Sequence, residues 1–89
     1  MRNKLKTNKK KIAPELSPAE IEKILKKVGK LIKTKRKDQT SLEAFSYEVN
    51  ISRSAMARYE TGGDMLLSSF LKVLYGLNIS PDDFFKEIR

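Results

Sequence analysis

The chain has no cysteine, no histidine and no tryptophan. Without cysteine there is neither a disulfide framework nor a zinc-thiolate site, and without histidine the usual proton shuttle and the commonest metal ligand are both missing. A glycine-rich phosphate loop, a nucleophile elbow and paired metal-ligand spacings are also lacking. An enzyme is therefore the least favoured reading, and neither a cofactor nor a metal is expected. No apolar run approaches the roughly 18 residues needed to span a bilayer, and the lysine-rich start is not followed by the apolar stretch of a signal peptide. A cytoplasmic location is the expectation. Strand-like alternation is absent, and 89 residues leave room for one small core. No separate ligand-binding or oligomerisation domain is expected, and so no small-molecule ligand.

What the chain has instead is positive charge, with 19 Lys and Arg against 11 Asp and Glu and a net charge of +8. Its distribution is uneven. Residues 1 to 13 carry six basic side chains and no acidic one, and residues 14 to 38 carry eight against four. The two later segments, 39 to 63 and 64 to 89, are each one charge negative. Such a front-loaded charge attracts polyanions. Residues 1–16 read as a flexible basic arm, since they have too few apolar residues to bury; the arm is either a nucleic-acid contact or a solubilising tail. Residues 17–89 read as a single folded domain.

Ser17-Pro18-Ala19-Glu20 combines an N-cap, a proline at the first helical position and a glutamate completing a capping box, so a helix starts here. Ile21, Ile24, Leu25, Val28, Leu31 and Ile32 form its expected inward stripe. Lys23, Lys26, Lys27, Lys30, Lys33 and Lys37 occupy the other face, which is either solvated or bound to phosphate. Thr40 or Ser41 caps a second, short helix with Leu42, Phe45 and Val49 inward. Asn50 suits a tight left-handed turn, Ile51 plugs the core, and Ser52 caps a third helix over residues 53 to 60. Gly62-Gly63-Asp64 breaks the chain before a largely apolar fourth helix outlined by Leu67, Phe70, Leu71, Leu74 and Leu77. Ser80, Pro81, Asp82 and Asp83 open a fifth. The expected fold is a compact all-α bundle of five helices.

The segment SLEAFSYEVNISRSAMARYET, residues 41 to 61, is a helix, a sharp turn and a helix, the arrangement that places its second helix in the major groove of DNA. Ser54, Ala57, Arg58 and Thr61 share one face of that helix, while Ala55, Met56 and Tyr59 turn the other way. A groove about 12 Å wide admits a helix with a slim outer face and donors near its start. Arg53, Ser54, Ala57 and Arg58 meet that requirement and are the base-reading candidates. Arginine can bond guanine O6 and N7 together, and alanine can touch a thymine methyl. Alternatively, the two arginines pair with Glu48 or Glu60 or contact only phosphates. The phosphate candidates are Lys33, Lys37, Thr40, Ser41, Ser52 and Thr61.

With VGKLIKTKRK in the first helix, ISRS and RYETG across the corner and LNIS near the end, residues 28 to 85 resemble the Xre and phage-repressor/Cro class of helix-turn-helix transcriptional regulators, particularly single-domain bacterial ones. The resemblance implies a lambda-repressor-like DNA-binding domain, double-stranded DNA as partner and action as a repressor. By position, Ser52 matches the cap of the recognition helix, Arg53 and Ser54 its first exposed residues, and Arg58 its groove-facing second turn. Glu60 matches an acid that pairs with a basic residue of the first helix, here Arg36 or Lys35. The chain departs from the pattern at Leu42, where many members have a phosphate-binding Gln, at Asn50 in place of Gly, and at Ser46 in place of Ala. The Ser46 hydroxyl must therefore bond back to a carbonyl.

Two other readings compete. A lysine face opposite Ile and Leu could lie on an anionic membrane, but an ordinary core helix needs the same pattern, and no membrane partner is expected. The corner could instead serve protein interaction, as in an antitoxin-like or regulator-binding module. Adjacent Phe84 and Phe85 cannot both enter one core from one helix, so Phe84, Phe85 and Ile88 are candidate homodimer contacts, unless both rings pack on the first helix.

Overall fold

The computed structural model describes residues 16–88. The basic arm read from residues 1–16 lies outside the described residues except for Leu16. Five helices follow one another: α1 (Pro18–Lys37), α2 (Leu42–Val49), α3 (Arg53–Glu60), α4 (Leu67–Leu77) and α5 (Pro81–Ile88). All five fall where the start and stop signals put them.

At the start of α1 the expected capping box is complete: the Glu20 amide donates to Ser17 Oγ at 3.1 Å, and the Ser17 amide donates to Glu20 Oε1 at 3.1 Å. Of the expected inward stripe, Val28 and Ile32 are buried and Leu25 and Leu31 are partly covered. Ile21 and Ile24 are not inward, being 44% and 43% exposed. The reason is length. With 20 residues α1 is about 30 Å long, whereas the other helices have 8 to 11 residues and cannot cover its first two turns.

The corner between α2 and α3 is built from Asn50, Ile51 and Ser52. Asn50 is left-handed (φ 57°, ψ 49°), the Ile51 amide bonds back to the Ser46 carbonyl at 3.1 Å, and Ser52 Oγ accepts the Ala55 amide at 3.1 Å. The same three residue types make the corner between α4 and α5. Asn78 is left-handed (φ 60°, ψ 45°), the Ile79 amide bonds to the Leu74 carbonyl at 3.1 Å, and Ser80 Oγ accepts the Asp83 amide at 3.1 Å. In both corners an asparagine tolerates the left-handed backbone, a partly buried isoleucine seals the edge of the core, and a serine starts the next helix. The departure at Asn50 thus leaves the turn intact. Ser46, the other small-residue departure, is buried and its Oγ donates to the Leu42 carbonyl at 2.7 Å, as burial of a hydroxyl requires.

Ile32, Phe45, Met56, Val73, Leu74 and Phe84 are fully buried and join all five helices in one core. In α4 the inward row is Phe70, Val73, Leu74 and Leu77. Leu67 and Leu71, expected to help outline that helix, are 71% and 47% exposed. Leu71 is turned about 100° from Phe70, onto the flank, and Leu67 sits in the first turn at the edge of the bundle. At the α1–α3 and α2–α4 crossings the helices meet over glycine. A methyl group on Gly29 would collide with the Tyr59 carbonyl, and one on Gly76 with Val49 and Phe45.

Candidate nucleic-acid interface

The pose of α3 is set by a buried ion pair. Arg36 of α1 donates from Nε to Glu60 Oε2 at 2.9 Å and from Nη2 to Glu60 Oε1 at 2.7 Å. Its remaining nitrogen, Nη1, donates to the Thr40 carbonyl at 3.2 Å, so one guanidinium joins α1, α3 and the segment leading into α2. Hydrogen bonding to Glu60 holds the guanidinium above its ordinary pKa, against burial and with help from the carboxylate charge. Of the two partners open to Glu60 in the sequence, Arg36 is the one. Lys35 turns to Glu87 of α5 at 2.9 Å.

With Met56, Tyr59 and Glu60 buried, the opposite side of α3 faces outward. Arg53, Ser54 and Arg58 are exposed and Ala57 is half-buried, leaving a narrow surface between two arginines. Among the described residues neither arginine forms an ion pair: both Glu60 oxygens are engaged by Arg36, and Glu48 is not bridged to either. The Arg58 guanidinium carbon lies 5.8 Å from the centre of the Tyr59 ring, a cation–π contact that leaves the guanidinium's hydrogen-bond donors available.

The phosphate candidates fall into three places. Ser41 Oγ and Ser52 Oγ each accept an amide from their own helix, Ala44 and Ala55 respectively, at 3.1 Å. The Ser41 hydroxyl therefore keeps a proton to donate at a helix start, where the dipole favours anions, and the Ser52 hydroxyl lies 3.5 Å from that of Ser54, with which it shares a hydrogen bond. Thr61 Oγ1 is directed back to the Ala57 and Arg58 carbonyls, 3.1 Å from each, so its proton is committed to the helix. Lys33 and Lys37 are exposed on α1, and Thr40, half-buried, presents its carbonyl to Arg36.

Sequence reasoning passed over two residues of this corner. Tyr47, 90% exposed on α2, is placed outward by the inward setting of Phe45 and Val49, a signal that was readable. Gln39 ties the α1–α2 connection to the end of α4, donating from Nε2 to the Leu77 carbonyl at 3.2 Å. Nothing local in the sequence announces that contact, which spans 38 residues. Among the described residues no group of three or more His, Cys, Asp or Glu could hold a metal, and no helix is long and apolar enough to cross a membrane.

No protein-family model and no curated protein matches the chain. Solved structures do. The wild-type restriction-modification controller protein C.Esp1396I superposes with a TM-score of 0.66 at 25% identity, over 73% of this chain and 87% of that one. A point mutant of the same controller protein gives 0.67 at 25% identity over 73% and 89%. A second mutant, bound to its highest affinity operator site OM, gives 0.67 at 25% identity over 73% and 88%. The resemblance carried by ISRS, RYETG and LNIS therefore extends to three dimensions, and this chain has the fold of the Xre and phage-repressor/Cro-like helix-turn-helix regulators.

Proposed function

We propose that the protein is a sequence-specific DNA-binding transcriptional regulator, acting as a repressor, that inserts α3 into the major groove. The observation that carries this reading is the outward face of α3, where Arg53 and Arg58 stand on either side of Ser54 and Ala57 without ion pairs among the described residues. A similar fold occurs in a controller protein whose structure holds its operator site. In this mechanism Arg53 and Arg58 bond guanine edges, Ser54 donates or accepts, and Ala57 lies against a thymine methyl. The helix starts at Ser41 and Ser52, with Lys33 and Lys37 at the end of α1, hold phosphates, which fix register without reading sequence. Two copies on half-sites about 34 Å apart would occlude a promoter. Phe85 and Ile88 are the contacts available for such pairing, because Phe84 is the ring that fills the core.

The chain is then a regulator rather than an enzyme, and its place of action is the cytoplasm. Selection of bound duplexes from a random pool at a stated salt concentration tests the reading, with an enriched palindrome expected. A second reading, a helix-turn-helix used to bind another protein, is favoured by the exposed Leu66, Leu67 and Phe85. A pool without any enriched motif would select it instead.

A further inference from the structure

Between Lys23 and Lys37 the chain has eight cationic side chains and no acidic one. Two are drawn into the body of the molecule, Arg36 by Glu60 and Lys35 by Glu87, and Lys26 has a loose surface partner in Glu22 at 3.8 Å. Lys23, Lys27, Lys30, Lys33 and Lys37 are exposed and have no ion-pair partner among the described residues. At about 100° per residue these five and Lys26 fall within an arc of roughly 120°, opposite the buried Val28 and Ile32. They form a ridge about 21 Å long with a lysine at every turn.

A merely solvated helix face interleaves the two signs at i, i+4, which supports the helix. Here Lys23 and Lys27, Lys26 and Lys30, and Lys33 and Lys37 are like-charge pairs at that spacing, which weaken it. The repulsion is relieved against a linear array of negative charge. Duplex DNA carries one phosphate per about 3.4 Å of axis on each strand, and because each strand winds around that axis a straight ridge of this length lies along on the order of four phosphates. The ridge also has a fixed bearing on the corner. Gly29 is pressed against the Tyr59 carbonyl and the stem of Lys26 lies beside Gly62, so α1 crosses the C-terminal end of α3. Lys33 and Lys37 lie towards the start of α2, and Lys23, Lys26, Lys27 and Lys30 extend the positive surface towards the start of α1.

We propose that this ridge is a second, sequence-independent nucleic-acid contact, in which Lys23, Lys26, Lys27 and Lys30 hold duplex phosphates beyond those reached from α2 and α3. The proposal rests on the DNA-binding reading of α3 and extends it to a different element. It assigns a large share of the affinity, and little of the specificity, to α1.

The test compares the full chain with a variant carrying Lys23→Gln, Lys26→Gln, Lys27→Gln and Lys30→Gln, on a selected duplex and an unrelated one, between 50 and 200 mM salt. Each phosphate contact contributes about 0.9 to the log–log salt slope, so loss of four makes the variant's slope shallower by about 3.6, with its preference for the selected duplex retained. A companion variant with Arg at the same four positions should keep the parent slope. A Gln variant with the parent slope overturns the proposal. If the parent binds neither duplex, the reading of α3 fails and the ridge proposal falls with it, a result distinct from an unchanged slope. Vesicles containing anionic phosphatidylserine form the last arm. Loss of vesicle binding by the Gln variant, with its DNA slope unchanged, would assign the ridge to a membrane and overturn the proposal.

Discussion

Arg36 and Glu60 meet through two parallel hydrogen bonds of 2.9 and 2.7 Å, buried between the end of α1 and the end of α3. The pair fixes the orientation of the helix on which the functional reading depends. Because the folded-state pKa of Arg36 is raised, its contribution is present throughout the pH range below the ordinary guanidinium value. That contribution is lost only in strong alkali, as the guanidinium gives up its proton.

Glu60→Ala leaves a buried guanidinium with its main partner gone. Removing one member of a buried pair costs about 3–5 kcal/mol, which for a domain of this size lowers the melting temperature by more than about 10 °C. Thermal denaturation followed by circular dichroism reads the shift. The double change Arg36→Met with Glu60→Leu should recover most of it, because two apolar side chains leave no buried charge behind. A Glu60→Ala protein that melts with the parent would show that α3 is held by other contacts.

At Gly76 two effects oppose each other. Alanine is the better helix former by about 1 kcal/mol, but its methyl group would meet Val49 and Phe45 at the α2–α4 crossing. Overpacking a well-filled core costs about 1–3 kcal/mol, so Gly76→Ala should be net destabilising by about 1 kcal/mol. A rise in the urea midpoint would mean that the crossing has room to relax.

Asn50 and Asn78 hold the same left-handed backbone at the two Asn-Ile-Ser corners. Asn50→Ala should cost about 1–2 kcal/mol, since a Cβ without a local hydrogen-bonding group is disfavoured there, whereas Asn50→Gly should be close to neutral. Denaturant midpoints of the two variants distinguish the cause: equal losses would point to the amide side chain rather than to the backbone.

Four of the helices were legible from their own caps, and α4, whose N-cap Leu66 makes no side-chain bond, from the Gly62-Gly63 break before it and its apolar row. Ser17, Ser41, Ser52 and Ser80 all cap the helices that they precede, and the inward rows of α2 and α3 follow from local spacing. The recurrence of Asn-Ile-Ser was equally visible, as two helix starts, but its role as one repeated corner needed the backbone angles. Reading failed where a side chain's fate depends on how far its neighbours reach. Ile21 and Ile24 continue the periodicity of Val28 and Ile32, yet among the described residues none of the other four helices covers them. The same holds for the choice between Arg36 and Lys35. They are adjacent in sequence, and only the crossing with α3 directs one to Glu60 while α5 takes the other.

The uncompensated lysines of α1 should also register in the free protein. Raising salt from 50 to 500 mM screens their mutual repulsion, so the melting temperature of the full chain should rise by several degrees, and less in the variant with four glutamines. A melting temperature that falls with salt in the parent would show that attractive pairs dominate its surface.

The most direct measurement compares the full chain with Arg58→Ala by selection from one pool of random duplexes at one salt concentration, after melting curves have established that the two are equally folded. The parent should enrich a motif with a guanine at a defined position, and the variant should lose the preference at that position while still binding DNA in a salt-dependent way. An identical enriched motif from both proteins would remove Arg58 from base reading and contradict the proposed role of the outward face of α3.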